Sequence, residues 1–359
     1  MSELDVPQNH DSLPGFAAPS EATRVFGHDA QTNFLIDLYR SGKMHHALLF
    51  DGPTGIGKAS LAFLFARYLI QNADFSIASA NMPDDGESAD MRQIVLGVHP
   101  QVLHLTRPLD VKTGKHKTQL TIDETKRIGH FLSRTVAGNG YRIIIVDPVN
   151  DMNASAANAI LKNLEEPTPR TLFMLIAHSS GRLLPTIRSR CLAVKFKALE
   201  NDAMLDALNH IGIDTGNARD GYGGDTETMR NGVGRLIELA KGSPRIAAML
   251  AQGGGLEIIN AVDGVLGASK FNGVSAGKIG EALSTREAEP LFGLICEHLL
   301  TLISDAATKA VLAGEGGAAK LAETHAYVAA KLSESNRFNL DKRQTILETL
   351  HTIHKLMMG

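Results

Sequence analysis

The sequence predicts an α/β protein built on a mostly parallel, three-layer sheet and completed by helices alone. Short apolar runs alternate with helical periodicities as far as residue 197. One of those runs, Ile143-Ile-Ile-Val146, is continuous and β-branched, as suits a strand covered on both faces. Beyond Phe196 only helical spacing remains. A chain of 359 residues, 43% hydrophobic and 21% charged, has material for two or three domains and lacks the excess charge of a disordered chain.

The elements follow in order. Residues 1–23, with Pro7, Pro14 and Pro19 and few apolar side chains, read as a mobile tail. Residues 31–40 have helical spacing, and 46–50 form an apolar strand that stops at Asp51. Residues 59–70 make an unbroken apolar helix, and 71–95 read as a polar, exposed insertion. Strands are expected at 102–105, 141–146 and 172–177, with helices at 122–132 and 153–165, the last closed by Pro167 and Pro169. A small helical domain follows, from helices at 201–211, 233–240 and 244–251, with 212–234 as a flexible loop. Gly253, Gly254 and Gly255 read as a hinge before a last all-helical domain of packing or oligomer-contact character. The expected boundaries are 24–197, 198–255 and 256–359.

Composition excludes several classes. Thirty-six basic against 39 acidic residues give a net charge of -3, too little basic excess for a chain that grips nucleic acid alone. Cys191 and Cys296 are the only cysteines, which excludes a disulfide framework or a four-cysteine zinc module and fits a reducing cytoplasm. No stretch approaches the roughly 18 apolar residues that span a bilayer, so no membrane partner is expected.

Chemistry concentrates at Gly52-Pro-Thr-Gly-Ile-Gly-Lys58, a phosphate-binding loop pattern between an expected strand and an expected helix. Gly52, Gly55 and Gly57 let backbone N–H groups converge on an anion, and Lys58 reaches terminal phosphates. The next residue is Ala59, where a serine or threonine hydroxyl would hold magnesium, and Ser60 lies about 100° further round the helix. The acid that completes such a site is Asp147, at the end of the β-branched strand. A water-orienting glutamate would follow it, but Pro148, Val149 and Asn150 stand there, with Asp151 a remaining substitute. Two separate requirements for hydrolysis are missing.

The stretch from Asp147 to Pro167, ending Ala156-Ala-Asn-Ala-Ile-Leu-Lys-Asn-Leu-Glu-Glu-Pro167, resembles the bacterial clamp-loader ATPases of the AAA+ class. Leu183-Leu-Pro-Thr-Ile-Arg-Ser-Arg-Cys191 resembles their Ser-Arg-Cys segment, and Gly242-Ser-Pro-Arg245 their second sensor. The resemblance covers about 25–250 and implies an AAA+ P-loop domain, a helical lid and a helical collar. It implies that Arg190 is an arginine finger acting on a neighbour's γ-phosphate, with Arg188 the alternative. Arg245 either senses nucleotide in cis or holds the lid. His178 and Ser179 stand at the first sensor, or are a satisfied loop pair. Val25-Phe26-Gly27 is similar to the adenine-side segment, or is ordinary core. The family's zinc module does not carry over, because 71–100 contain no cysteine. The implied partners are the ring's ATPase subunits, its delta subunit, the sliding clamp and primer–template DNA, within a DNA polymerase holoenzyme. ATP is expected to bind weakly or without hydrolysis. The favoured reading is a non-hydrolysing ring subunit, the alternative an active AAA+ ATPase; a P-loop nucleotide kinase has no use for Ser-Arg-Cys.

Overall fold

The computed structural model describes residues 9–358 apart from 11, 85–87, 111, 113, 135–139, 216–231, 253, 286–287, 315 and 339. Five strands form the sheet: β1 (Ala47–Asp51), β2 (Val102–Leu105), β3 (Arg142–Val146), β4 (Thr171–Ala177) and β5 (Leu192–Lys195). Their spatial order is β2-β3-β4-β1-β5, with every pairing parallel. Ile143 to Val146 and Leu172 to Leu175 are completely buried, which is why these strands read as continuous apolar runs.

Register decides where the site forms. Val146 lies opposite Leu175 and Phe50 opposite Ile176, so β3, β4 and β1 finish together. The loops that follow, carrying Asp147, residues 178–180 and Gly52, therefore share one edge, where open parallel sheets hold ligands. The strand carrying Asp147 and the strand before the glycine loop are separated by β4.

Eight helices precede residue 241 among the described residues: α1 (Asp29–Arg40), α2 (Lys58–Gln71), α3 (Ala89–Val95), α4 (Ile122–Ser133), α5 (Ala154–Glu165), α6 (Pro185–Arg188), α7 (Asn201–His210) and α8 (Val233–Ala240). In α5, Ala156, Ala157, Ile160 and Leu164 form the buried stripe. The Asn153 side chain caps it by accepting from Ala156 N–H at 2.9 Å, a contact worth about 1 kcal/mol. Glu166 leaves helical geometry ahead of Pro167.

Several expectations are corrected. Of the 1–23 tail, residues 1–8 and 11 lie outside the described residues, and the rest is partly packed on the fold. Pro19–Glu21 forms a 3-10 turn with Ser20 buried, and the buried guanidinium of Arg67 donates to Ala22 O. In the insertion, Ser88 caps α3, and Met91, Ile94 and Val95 are buried. The spacing of those three residues was the available signal. Strand β5 was missed because its four residues carry only Leu192 and Val194 in alternation, too short a pattern to stand out. Most of the expected 212–234 loop lies outside the described residues.

The chain forms two compact units, 1–245 and 246–359. Helix α9 (Pro244–Ala251) contains the boundary, and the second unit also holds α10 (Gly255–Leu266), α11 (Gly273–Ala282), α12 (Glu289–Ala313), α13 (Ala318–Phe338) and α14 (Lys342–Met358). At the expected hinge, Gly253 is outside the described residues. Gly255 begins α10, where a Cβ would stand 2.9 Å from Leu250 Cα and 3.0 Å from its carbonyl oxygen. Glycine there serves close helix approach. The 25-residue α12 is long and apolar enough to cross a membrane by length and composition, contrary to the expectation of no such stretch. Its stripe of Leu291, Phe292, Ile295, Leu299 and Ile303 is buried within the helical unit.

Candidate functional site

Strand β1 ends at Asp51 and the chain reverses through Gly55 (φ +74°) and Gly57 (φ +100°) before α2 starts at Lys58. Both conformations favour glycine, and the resulting turn aims backbone N–H groups inward at a helix start. Lys58 is 3% exposed. Its ammonium donates to Gly52 O at 2.7 Å and also to Pro53 O. Burial lowers its pKa to about 8, with Asp147 and Asp51 pulling the other way. Ser243 Oγ and Arg245 Cβ would each stand 2.5 Å from a Cβ on Gly55, and Arg245 N–H donates to Gly55 O at 3.3 Å. The 243–245 segment thus lies directly on the glycine loop.

The donor set suits a phosphate, and the hydroxyl that would help hold a magnesium ion is missing at Ala59. Loop N–H groups and Lys58 are the right donors for an anion. Lys58 would have to leave two carbonyl oxygens to reach it, and Ala59 brings no oxygen to a metal.

Asp147 is 7% exposed and is followed by a cis Pro148. Its turn is tied to the loop after β4 by Asn150, whose Nδ2 donates to Ser179 O at 2.9 Å while its Oδ1 accepts from His178 N–H at 2.9 Å. One backbone group of each of His178 and Ser179 is therefore satisfied by this chain. Asp151, the remaining substitute base, is held by Arg107 at 2.5 Å.

Sequence reasoning missed Asp51. It is 7% exposed and accepts from Ser180 N–H at 2.9 Å, Ser180 Oγ at 2.6 Å and the Lys195 ammonium. Burial pushes its carboxyl up, but the hydrogen bonds from Lys195 and Ser180 outweigh this and hold it below the ordinary value. A lone acid ending an apolar strand was the one available signal.

Gly242, with φ +75°, is fixed by the chain leaving β5. A Cβ there would stand 2.5 Å from Leu199 O and 2.7 Å from Leu199 N. Leu199 N–H donates to Gly242 O at 2.9 Å. We expect Gly242→Ala to destabilise the chain by about 2 kcal/mol, from left-handed strain plus overpacking. Urea midpoints compared with wild type measure it, and an unchanged midpoint refutes the close approach.

Arg190 follows the four-residue helix α6, whose first position is Pro185. Its Nη2 pairs with Glu165 Oε1 at 2.7 Å, and its Nη1 donates to Thr186 O at 2.9 Å. The side chain is 34% exposed and that of Glu165 49%. Arg188 is exposed, with no side-chain hydrogen bond or ion pair among the described residues. Burial pushes the Cys191 thiol up to about 12, so it is inert as a nucleophile. Phe26 packs against His210, ring centroids 5.3 Å apart, with the Arg24 guanidinium 4.8 Å from its centroid.

Residues 27–200 match the family described as DNA polymerase III, delta subunit. The chain is 34% identical over 146 residues to DNA polymerase III subunit delta' of Pseudomonas aeruginosa, covering 41% of each chain. It is 31% identical over 199 residues to the Bacillus subtilis subunit delta', covering 55% of each. With subunit tau of Escherichia coli it shares 28% over 193 residues, 54% of this chain and 28% of that one. It spans about half the length, or less, of these relatives. The matched stretch contains the glycine loop, Asp147 and Arg190, while Arg245 and the helical unit lie beyond it. Over residues 27–200, then, the chain is similar to the family described as DNA polymerase III, delta subunit, and to curated delta' subunits of that polymerase.

Proposed function

We propose that the chain is a largely non-hydrolysing subunit that closes a clamp-loader ring and supplies Arg190 to a neighbouring ATPase site. Its partners are then the ring's ATPase subunits and delta subunit, and through the assembled ring the sliding clamp and primer–template DNA, in the cytoplasm.

The observation that carries the reading is the state of the chain's own phosphate loop. Lys58 is engaged by the carbonyl oxygens of Gly52 and Pro53, and the residue beside it, Ala59, has no hydroxyl to offer a metal. Asp147 is followed by Pro148, which can neither accept a proton nor orient water. Arg190 stands instead on the surface, held by exposed groups, with a planar fork suited to phosphoryl oxygens.

The test is nucleotide binding and turnover by the purified full-length chain, alone and mixed with ring ATPase subunits. The chain alone is expected to turn over negligibly. Turnover in the ordinary range of ~1 to 10³ s⁻¹, abolished by Lys58→Ala, would overturn the reading. Any gain of hydrolysis is expected to need Ala59→Thr and Pro148→Glu together, since each replaces only one missing function.

A further inference from the structure

The pairing of Arg190 with Glu165 raises a question that the finger role does not answer. Both terminal nitrogens of the guanidinium are in use on this chain. Nη2 is bound by the Glu165 carboxylate at 2.7 Å and Nη1 by the Thr186 carbonyl at 2.9 Å, with Ser189 Oγ a further 3.4 Å contact. Those nitrogens present the fork that grips phosphoryl oxygens. We propose that Glu165 is a positioning residue that holsters Arg190 in cis, so that the neighbour's γ-phosphate must displace the Glu165 carboxylate to engage the finger.

The fold makes this pairing specific. Glu165 is the last residue of α5, whose buried stripe is anchored in the core cluster through Ile160 and Leu164. The same cluster holds Ile187 of α6, three residues before Arg190. Two rigid supports thus present the carboxylate and the guanidinium to each other across 25 positions of sequence. Both side chains are substantially exposed, so the pair is weak and exchangeable: a multiply charged phosphate outcompetes one solvated carboxylate. A pair this weak sets an occupancy and does not lock the residue. Removing it raises the free fraction of Arg190 and so the neighbour's apparent affinity for ATP.

The inference rests on the proposed trans role of Arg190, and the experiment separates the two. Rings are assembled with this subunit as wild type, Glu165→Gln, Glu165→Asp, Arg190→Ala or Glu165→Gln with Arg190→Ala. ATP turnover is measured against ATP concentration at low and high salt, with assembly verified. Glu165→Gln is expected to lower KM for ATP about two- to five-fold at low salt with little change in kcat, and the difference is expected to shrink at high salt. Glu165→Asp, which keeps the charge on a shorter arm, is expected to lie between wild type and Glu165→Gln. In the Arg190→Ala background Glu165→Gln is expected to have no effect. An unchanged or raised KM in Glu165→Gln, or the same change without Arg190, overturns the holster. If Arg190→Ala itself leaves the partner ATPase unchanged, the trans role falls and the holster falls with it.

Discussion

Arg190→Ala, introduced only in this subunit of an assembled ring, is expected to reduce turnover at one neighbouring ATPase site by about 10³- to 10⁵-fold, or about 4 to 7 kcal/mol of transition-state stabilisation. Charge spreads over the phosphoryl oxygens as the γ-phosphate transfers, and a planar guanidinium meets two of them at once. On the proposed reading the other sites of the ring are expected to keep working, so bulk ATPase falls only in part, and clamp loading is expected to fall further. Assembly and folding are expected to survive. Among the described residues the partners lost on this chain are an exposed ion pair worth about 0.2–1 kcal/mol and contacts to the Thr186 carbonyl and Ser189 Oγ. Arg190→Lys is not expected to rescue, because an ammonium cannot reproduce the fork. Arg188→Ala is the comparison that matters, since Arg188 is two residues away and exposed. Unchanged partner ATPase and loading in a verified Arg190→Ala ring would remove this residue from the mechanism. The same defect in Arg188→Ala alone would move the role there.

Lys58 is the site of the second large effect. Its pKa is lowered from 10.5 to about 8 by burial, so between those values the unfolded chain holds a proton that the folded chain has released. Stability therefore rises with pH across that window, because deprotonation favours the fold. Below about pH 8 the charged ammonium bears its full burial cost, and above about 10.5 neither state carries the charge. Lys58→Met removes this titration. The stability of wild type relative to Lys58→Met is expected to rise by about 3 kcal/mol from pH 7 to pH 10.5, because burial lowers the ammonium's pKa from 10.5 to about 8. Taking the difference between the two proteins cancels groups common to both, including Tyr39, which burial pushes up to about 12. Denaturant unfolding across the window measures it, and parallel pH profiles for the two proteins would show that Lys58 is not desolvated in the folded chain.

Much of the site was legible in sequence because its requirements are local. Glycine spacing at 52, 55 and 57 reflects backbone conformations that need no distant partner, and the positive φ angles at Gly55 and Gly57 are the structural counterpart. The strands at 142–146 and 171–177 were legible because full burial on both faces requires an unbroken apolar run. The missing hydroxyl at Ala59 and the proline at 148 are likewise facts of residue type. Strand β5 and helix α3 were not legible, since four and seven residues carry too few periods to separate from a loop.

By itself, then, the sequence determined the P-loop α/β class, the positions of the central strands and the chemical deficits of the phosphate loop. The tertiary structure alone decided which groups those residues meet. That Lys58 folds onto the oxygens of Gly52 and Pro53 follows from how α2 leaves the loop. Asp51 meets Ser180 and Lys195 because β1 lies between β4 and β5 in the sheet. Glu165 meets Arg190 because α5 and α6 share one core cluster. Periodicity and backbone sterics act between near neighbours in the chain, whereas the Glu165–Arg190 and Asp51–Lys195 pairings depend on helix packing and strand order, which join residues 25 and 144 positions apart.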